Sequence, residues 1–230
     1  MTENERQTLL VQAKDFFRNR IAANHIANTQ KLGNINKFNV NPFTHKYLAQ
    51  FAFGDSSPES MAKALVYPRI LGTSISTTFG TQLQFFCNEV LNSFASVVSG
   101  IDIEFIDCID GRRKYCQVKA GPNTVNKDDI KTIKDHFSGI RNLARTNHLD
   151  VRTTDCIVGV FYGTEAELSS SYRKIDESYP VYVGAEFWHR LTGEPDFYYD
   201  LIDAFMEVAD EMSSTEMVDS VIRELAKSFE

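Results

Sequence analysis

Residues 100–121 read GIDIEFIDCIDGRRKYCQVKAG, and the fold turns on how this stretch is read. Ile101, Ile103 and Phe105 alternate with Asp102 and Glu104, Asp110-Gly111 is a turn dipeptide, and a second apolar and polar alternation follows it. The pattern predicts two antiparallel strands joined by a tight turn. Alternate residues of a strand share a face, so Asp102 and Glu104 point one way on the first strand, and Gln117 and Lys119 share a face of the second. Two carboxylates, an amide oxygen and an amine can then converge. That is the composition of a magnesium site with a water-activating lysine beside it, suited to metal-assisted hydrolysis of a phosphodiester. A solvated hairpin with charges on its wet face has nearly the same pattern.

A chain of 230 residues with 43% hydrophobic content can bury one good core, or two modest ones. The absence of a linker points to a single domain over 1–230, with a helical part over 1–75, a core over 76–190 and further helices over 191–230. There is no apolar run of about 18 residues. The opening MTENERQ is polar and acidic where a secretory leader is basic and then apolar, so a soluble cytoplasmic protein without a membrane partner is expected. Cys87, Cys108, Cys116 and Cys156 have neither C-x-x-C spacing nor histidine pairing, which argues against zinc and for reduced, mostly buried thiols.

The net charge of −7 hides an uneven distribution. From Arg112 to Arg145 nine Lys and Arg face three Asp, an excess of +6, whereas from Glu194 to Glu230 eleven acids face Arg223 and Lys227, or −9. The basic block surrounds the candidate site and suits a phosphate backbone, and solvated helix faces are its bland explanation.

Residues 4–28 place Leu10, Ala13, Phe17 and Ile21 at helical spacing. The Asn-rich stretch that follows, ending at Pro42, predicts a loop with ordered turns; its amides suit adenine edges as well as turns. Ser57-Pro58 starts a helix carrying Met61, Leu65 and Val66. A longer helix carries Phe79, Leu83, Phe86, Val90 and Phe94, and Gln84 and Glu89, off that stripe, are candidates to support the carboxylate site. Beyond the hairpin, Asn123, Thr124, Asn126 and Lys127 open a helix with the stripe Ile130, Ile133, Phe137 and Ile140. Its start is a candidate phosphate site as well as an ordinary cap. Residues 155–162 predict a strand buried on both faces, residues 179–183 another, and the remainder helices broken near Gly193 to Pro195 and at Ser213-Ser214. The sum is an α/β protein with a central mixed sheet of about five strands, helices on both sides and extra helices at both ends.

The D-x(14)-Q-x-K spacing on a hairpin, followed by a basic helix and a buried strand, resembles the PD-(D/E)xK nuclease superfamily. Asn41-Pro42-Phe43, Phe79-Gly80, Lys119-Ala-Gly, Val158-Gly-Val-Phe-Tyr-Gly163, Tyr172-Arg173, Val183-Gly184 and Glu186-Phe-Trp188 together resemble type II restriction endonucleases that cut GGNCC-type interrupted palindromes. The resemblance implies a restriction-endonuclease-like fold and a homodimer that cuts double-stranded DNA with Mg2+. It also implies a cognate DNA methyltransferase in the same system. Asp102 would bind the metal with Gln117, Lys119 would activate water, and Glu104 would stand ready to supply charge. Asn123, Thr124, Asn126, Lys127, Arg141, Tyr172 and Arg173 would contact DNA. Gln117 departs from the pattern, which has Asp or Glu there. A repair or recombination nuclease of the same fold, or a DNA-binding module with a decayed site, are the alternatives.

Overall fold

The computed structural model describes residues 1–91, 93–212 and 214–230, and of Phe94 the backbone alone. Five strands, β1 (Phe94–Ala95), β2 (Ile103–Ile106), β3 (Arg113–Lys119), β4 (Cys156–Val160) and β5 (Val181–Val183), lie in chain order in one sheet. The α-helices are α1 (Glu3–Phe16), α2 (Ala23–Gln30), α3 (Pro42–Phe53), α4 (Pro58–Pro68), α5 (Ser74–Val90), α6 (Lys127–Thr146), α7 (Ser170–Asp176), α8 (Ala185–Thr192), α9 (Phe197–Glu211) and α10 (Thr215–Ala226).

The predicted hairpin is present. β2 and β3 pair antiparallel, Ile103 facing Cys116 and Ile106 facing Arg113. The connection is wider than a two-residue turn: residues 107–112 form it, closed by Asp107 N–H to Arg112 O at 2.9 Å and Gly111 N–H to Asp107 O at 2.8 Å. β3 then pairs parallel with β4 and β4 with β5. Parallel pairing needs a long crossover, which α6 supplies between β3 and β4 and α7 between β4 and β5. The result is a mixed sheet, antiparallel on one side and parallel on the other.

All five residues of β4 are buried, as its uninterrupted apolar run predicts. Val158 and Val160 face the layer of α6 and α7, packing with Ile133, Phe137, Ile140, Tyr172 and Ile175. On the opposite face an aromatic cluster joins Phe86 of α5, Phe161, and Phe187 and Trp188 of α8; Phe161 and Trp188 meet edge to face at 4.6 Å. Gly159 allows α8 to lie this close, because a Cβ there would come within 2.2 Å of the Phe187 ring.

The chain packs as two compact units, each with its own core. Residues 1–16 and 80–206 form the first, which holds the sheet; residues 17–79 and 207–230 form the second. The second is helical, with Leu32, Ala62, Val66 and Ile70 packed against Val221, Ile222 and Leu225 of α10. Its Asn-rich stretch forms two 3-10 turns, with Asn34 capping one and Asn41 capping α3 ahead of Pro42. α3 itself, absent from the sequence reading, leaves Phe43, Tyr47 and Phe51 exposed.

Two helical expectations shift. The first helix is interrupted by a π-helical segment, Phe17–Ala22, which rotates the later stripe. The buried set is therefore Ala13, Phe16 and Ile21, with Phe16 in the place expected of Phe17. α5 ends at Val90, and Phe94 belongs to β1. Of the predicted break at Ser213-Ser214, Ser213 lies outside the described residues. The four cysteines are unpaired, three of them buried and Cys108 exposed. Among the described residues no helix is long and apolar enough to cross a membrane.

Candidate active site

Asp102 stands just ahead of β2, and Gln117 and Lys119 end β3 on the face turned toward α6. The Asp102 N–H donates to Cys116 O at 3.1 Å, which continues the antiparallel ladder past the strand end. Its carboxylate Oδ2 accepts the Val118 N–H at 2.7 Å, and Oδ1 has no donor among the described residues. Burial pushes the Asp102 carboxyl above the ordinary range, opposed by the Val118 amide, the Lys119 ammonium and the His136 ring. Lys119, half-buried, makes no ion pair or hydrogen bond through its side chain among the described residues.

Gln117 is buried, and its Nε2 donates to Gly100 O at 2.6 Å and to His136 Nδ1 at 3.0 Å. Its Oε1 has no donor among the described residues. Gln84 reaches the site as expected of a supporting residue, donating from Nε2 to the Asp102 backbone carbonyl at 2.7 Å. Glu89 is exposed on a different side of α5, five residues further on.

Glu104 does not join Asp102. It shares the sheet face, but Oε1 accepts from Ser96 Oγ at 2.7 Å and Oε2 pairs with Arg113 at 3.2 Å, and the residue is buried. The two flanking donors take up the charge that was expected to reinforce the site.

The candidate DNA contacts divide. Tyr172 is fully buried, its hydroxyl donating to Gly121 O at 3.0 Å and meeting Thr124 Oγ1 at 2.9 Å. It ties the loop after β3 to α7 and cannot touch DNA. Tyr172→Phe is expected to cost about 1 kcal/mol of stability, read by urea denaturation, without lowering the cleavage rate; a cleavage defect larger than the stability loss would contradict this. Asn126 closes a capping box, its Oδ1 accepting from Asp128 and Asp129 N–H while Asp129 accepts its own N–H. With Asp128 and Asp129 in the first turn, the start of α6 already carries its anions. Asn123, Lys127, Arg141 and Arg173 remain, and Lys127 and Arg141 make no ion pair among the described residues. Arg173 is exposed and donates to the Leu168 and Ala166 carbonyls.

The basic block is less available than its +6 suggests. Arg112 pairs with Asp155 and Asp150, Arg113 with Glu104, and Lys131 with Asp135. Lys114 is fully buried among Asp107, Asp110 and Asp155. His136 went unnoticed in the sequence; its signal was a titratable ring on the edge of the buried stripe of α6.

Among the described residues no three His, Cys, Asp or Glu side chains converge as a metal cluster. The donor set nevertheless fits a hard divalent cation: among the described residues, a half-buried carboxylate has one oxygen unclaimed and an amide oxygen on the same sheet face has no donor, and magnesium keeps several waters. Because the folded carboxyl titrates above its unfolded value, its favourable contribution is complete below about pH 3.9 and lost as pH rises through the folded value. Ionised Asp102 therefore costs the metal-free fold stability at neutral pH. Asp102→Asn is expected to raise the melting temperature in chelator at pH 7 and abolish cleavage, with the thermal gain vanishing in acid. A lower melting temperature at pH 7 would refute this account.

An antiparallel hairpin continued by parallel strands, with helices on both faces of the sheet, is the restriction-endonuclease-like α/β fold. The family model of type II restriction endonuclease EcoO109I matches residues 9–213, and the chain belongs to that family. It is a type II restriction endonuclease, an endodeoxyribonuclease. No protein of curated function matches the chain.

Proposed function

We propose that the protein cuts both strands of double-stranded DNA at a short palindrome of GGNCC type, using Mg2+, with Asp102, Gln117 and Lys119 as the reacting constellation. The reading rests on one observation above the rest: a carboxylate oxygen, an amide oxygen and a lysine, all without partners among the described residues, stand on one face of neighbouring strands. Asp102 Oδ1 and Gln117 Oε1 would hold the cation. A bound divalent ion supplies Lewis acidity and neutralises charge gathering on the phosphate. Lys119 orients the attacking water in line with the scissile bond and favours its deprotonated form. The products are a 3′ hydroxyl and a 5′ phosphate. Lys127, Arg141, Arg173 and Asn123 are the side chains left to hold the backbone.

A palindrome calls for two-fold symmetry, so the working form is a homodimer. The exposed aromatic stripe of α3 supports this, being the kind of apolar surface that subunit contacts cover. The enzyme works in the cytoplasm beside a DNA methyltransferase of the same specificity. Incubation with plasmid and phage DNA, with Mg2+ or chelator, tests the proposal on a gel. A reproducible set of bands that requires the metal, and whose ends map to one interrupted palindrome, is expected. Random degradation, or cutting in chelator, would overturn it.

A further inference from the structure

We propose that His136 is a positioning residue for Gln117, locking the amide so that its oxygen is the atom left for the cation. The inference rests on the site reading given above and goes beyond it in assigning a role to α6. A carbonyl oxygen only accepts hydrogen bonds, so the Gln117 atom 2.6 Å from Gly100 O is the amide nitrogen. That fixes which way the amide is turned. The same nitrogen lies 3.0 Å from His136 Nδ1, which therefore accepts, with the ring proton on Nε2. One amide proton goes to each acceptor, and Oε1 is left without a donor among the described residues.

Gly100 makes the arrangement possible. It has a φ of +81°, and a Cβ on it would come within 2.3 Å of His136 Nδ1. Backbone carbonyl and imidazole can close on one amide only because no side chain stands between them. The departure from the family's carboxylate then has a physical explanation. A glutamate at 117 would turn an oxygen toward the Gly100 carbonyl, which can only accept, whereas a glutamine donates to that carbonyl and to His136 Nδ1. Gln117 is matched to its surroundings, and the match resides in His136.

The test compares His136→Leu, which keeps bulk and removes the acceptor, with His136→Asn, whose Oδ1 can take the place of Nδ1. Magnesium alone is titrated into the full-length protein by calorimetry, the Gln117 side-chain NH2 resonances are followed by 15N NMR, and cleavage is measured against Mg2+ concentration. His136→Leu is expected to weaken magnesium binding about tenfold and to move the Gln117 NH2 pair toward the position of a solvated amide. Excess Mg2+ should recover much of the cleavage rate. His136→Asn is expected to restore most of the affinity and the resonance positions. Wild-type magnesium affinity and unmoved resonances in His136→Leu would overturn the proposal, as would a His136→Asn protein that folds yet binds magnesium as weakly as His136→Leu. If His136→Leu does not fold, His136→Asn against wild type decides. Asp102→Ala separates the two readings: if it still binds magnesium and cuts, the site assignment fails whatever His136 does.

Discussion

Lys119→Ala is expected to retain DNA binding and to cut about a thousandfold more slowly than the wild type. The side chain stands at the end of β3, half-buried, with no carboxylate tied to it, and its charge is felt at Asp102. A lysine kept for structure looks different, as Lys114 of the same strand shows, surrounded by aspartates and sealed from solvent. On the proposed mechanism, removing the Lys119 ammonium takes away the group that aligns and acidifies the water, and it leaves the sheet hydrogen bonds intact. Single-turnover cleavage with excess enzyme, alongside gel-shift binding in chelator, separates the effects. A rate within tenfold of the wild type would remove Lys119 from the chemistry. Equal loss of binding would make it a phosphate contact.

Lys114→Ala is expected to cost about 3–5 kcal/mol of stability, the penalty for removing one partner from a buried ionic cluster. Lys114 Nζ lies 2.5 Å from Asp110, 3.4 Å from Asp155 and 3.8 Å from Asp107, and donates to Thr154 O at 3.2 Å. Asp107 and Asp155 are themselves buried. Arg190 also holds Asp107 at 2.9 Å, and Arg112 holds Asp155 at 2.6 Å, so the loss is partial. The same cluster sets an acid limit. Burial works to raise the Asp155 carboxyl, but hydrogen bonds from Arg112 and the Arg152 amide and the nearby Lys114 charge outweigh it, and the net shift is downward. Its stabilisation is therefore complete above about pH 3.9 and is lost as pH falls through the lower folded value. Urea denaturation at neutral pH and again in acid reads both effects. A loss below 1 kcal/mol for Lys114→Ala at neutral pH would mean the arginines carry the cluster alone.

Much of the first unit was legible because its signals are local. The unbroken apolar run of β4 and the alternation around Asp102 and Lys119 reflect packing that each short segment meets by itself. α6 announced its start through Asn126 and Asp129, three residues apart. What stayed hidden depends on residues far apart in sequence. Glu104 has the same alternation as Asp102, and only the arrival of Ser96 and Arg113 separates their roles. Tyr172 has the composition of a groove-reading residue until Gly121 O and Thr124 are placed against its hydroxyl. The borders of the two units carry no sequence signal, because they fall within or beside continuous helical stretches, at residues 16–17, 79–80 and 206–207, without any linker composition.

The interleaving of those units also orders events during synthesis. The second unit is begun by residues 17–79 and completed by 207–230, with all of residues 80–206 made in between. Leu32, Ala62, Val66 and Ile70 lack Val221, Ile222 and Leu225 until α10 leaves the ribosome. The sheet has no such wait, since its last strand ends at Val183. Translation thus finishes the unit that bears Lys119 before the helical unit can close its core, and a newly made chain carries an exposed apolar surface from the time residues 17–79 emerge until α10 follows them.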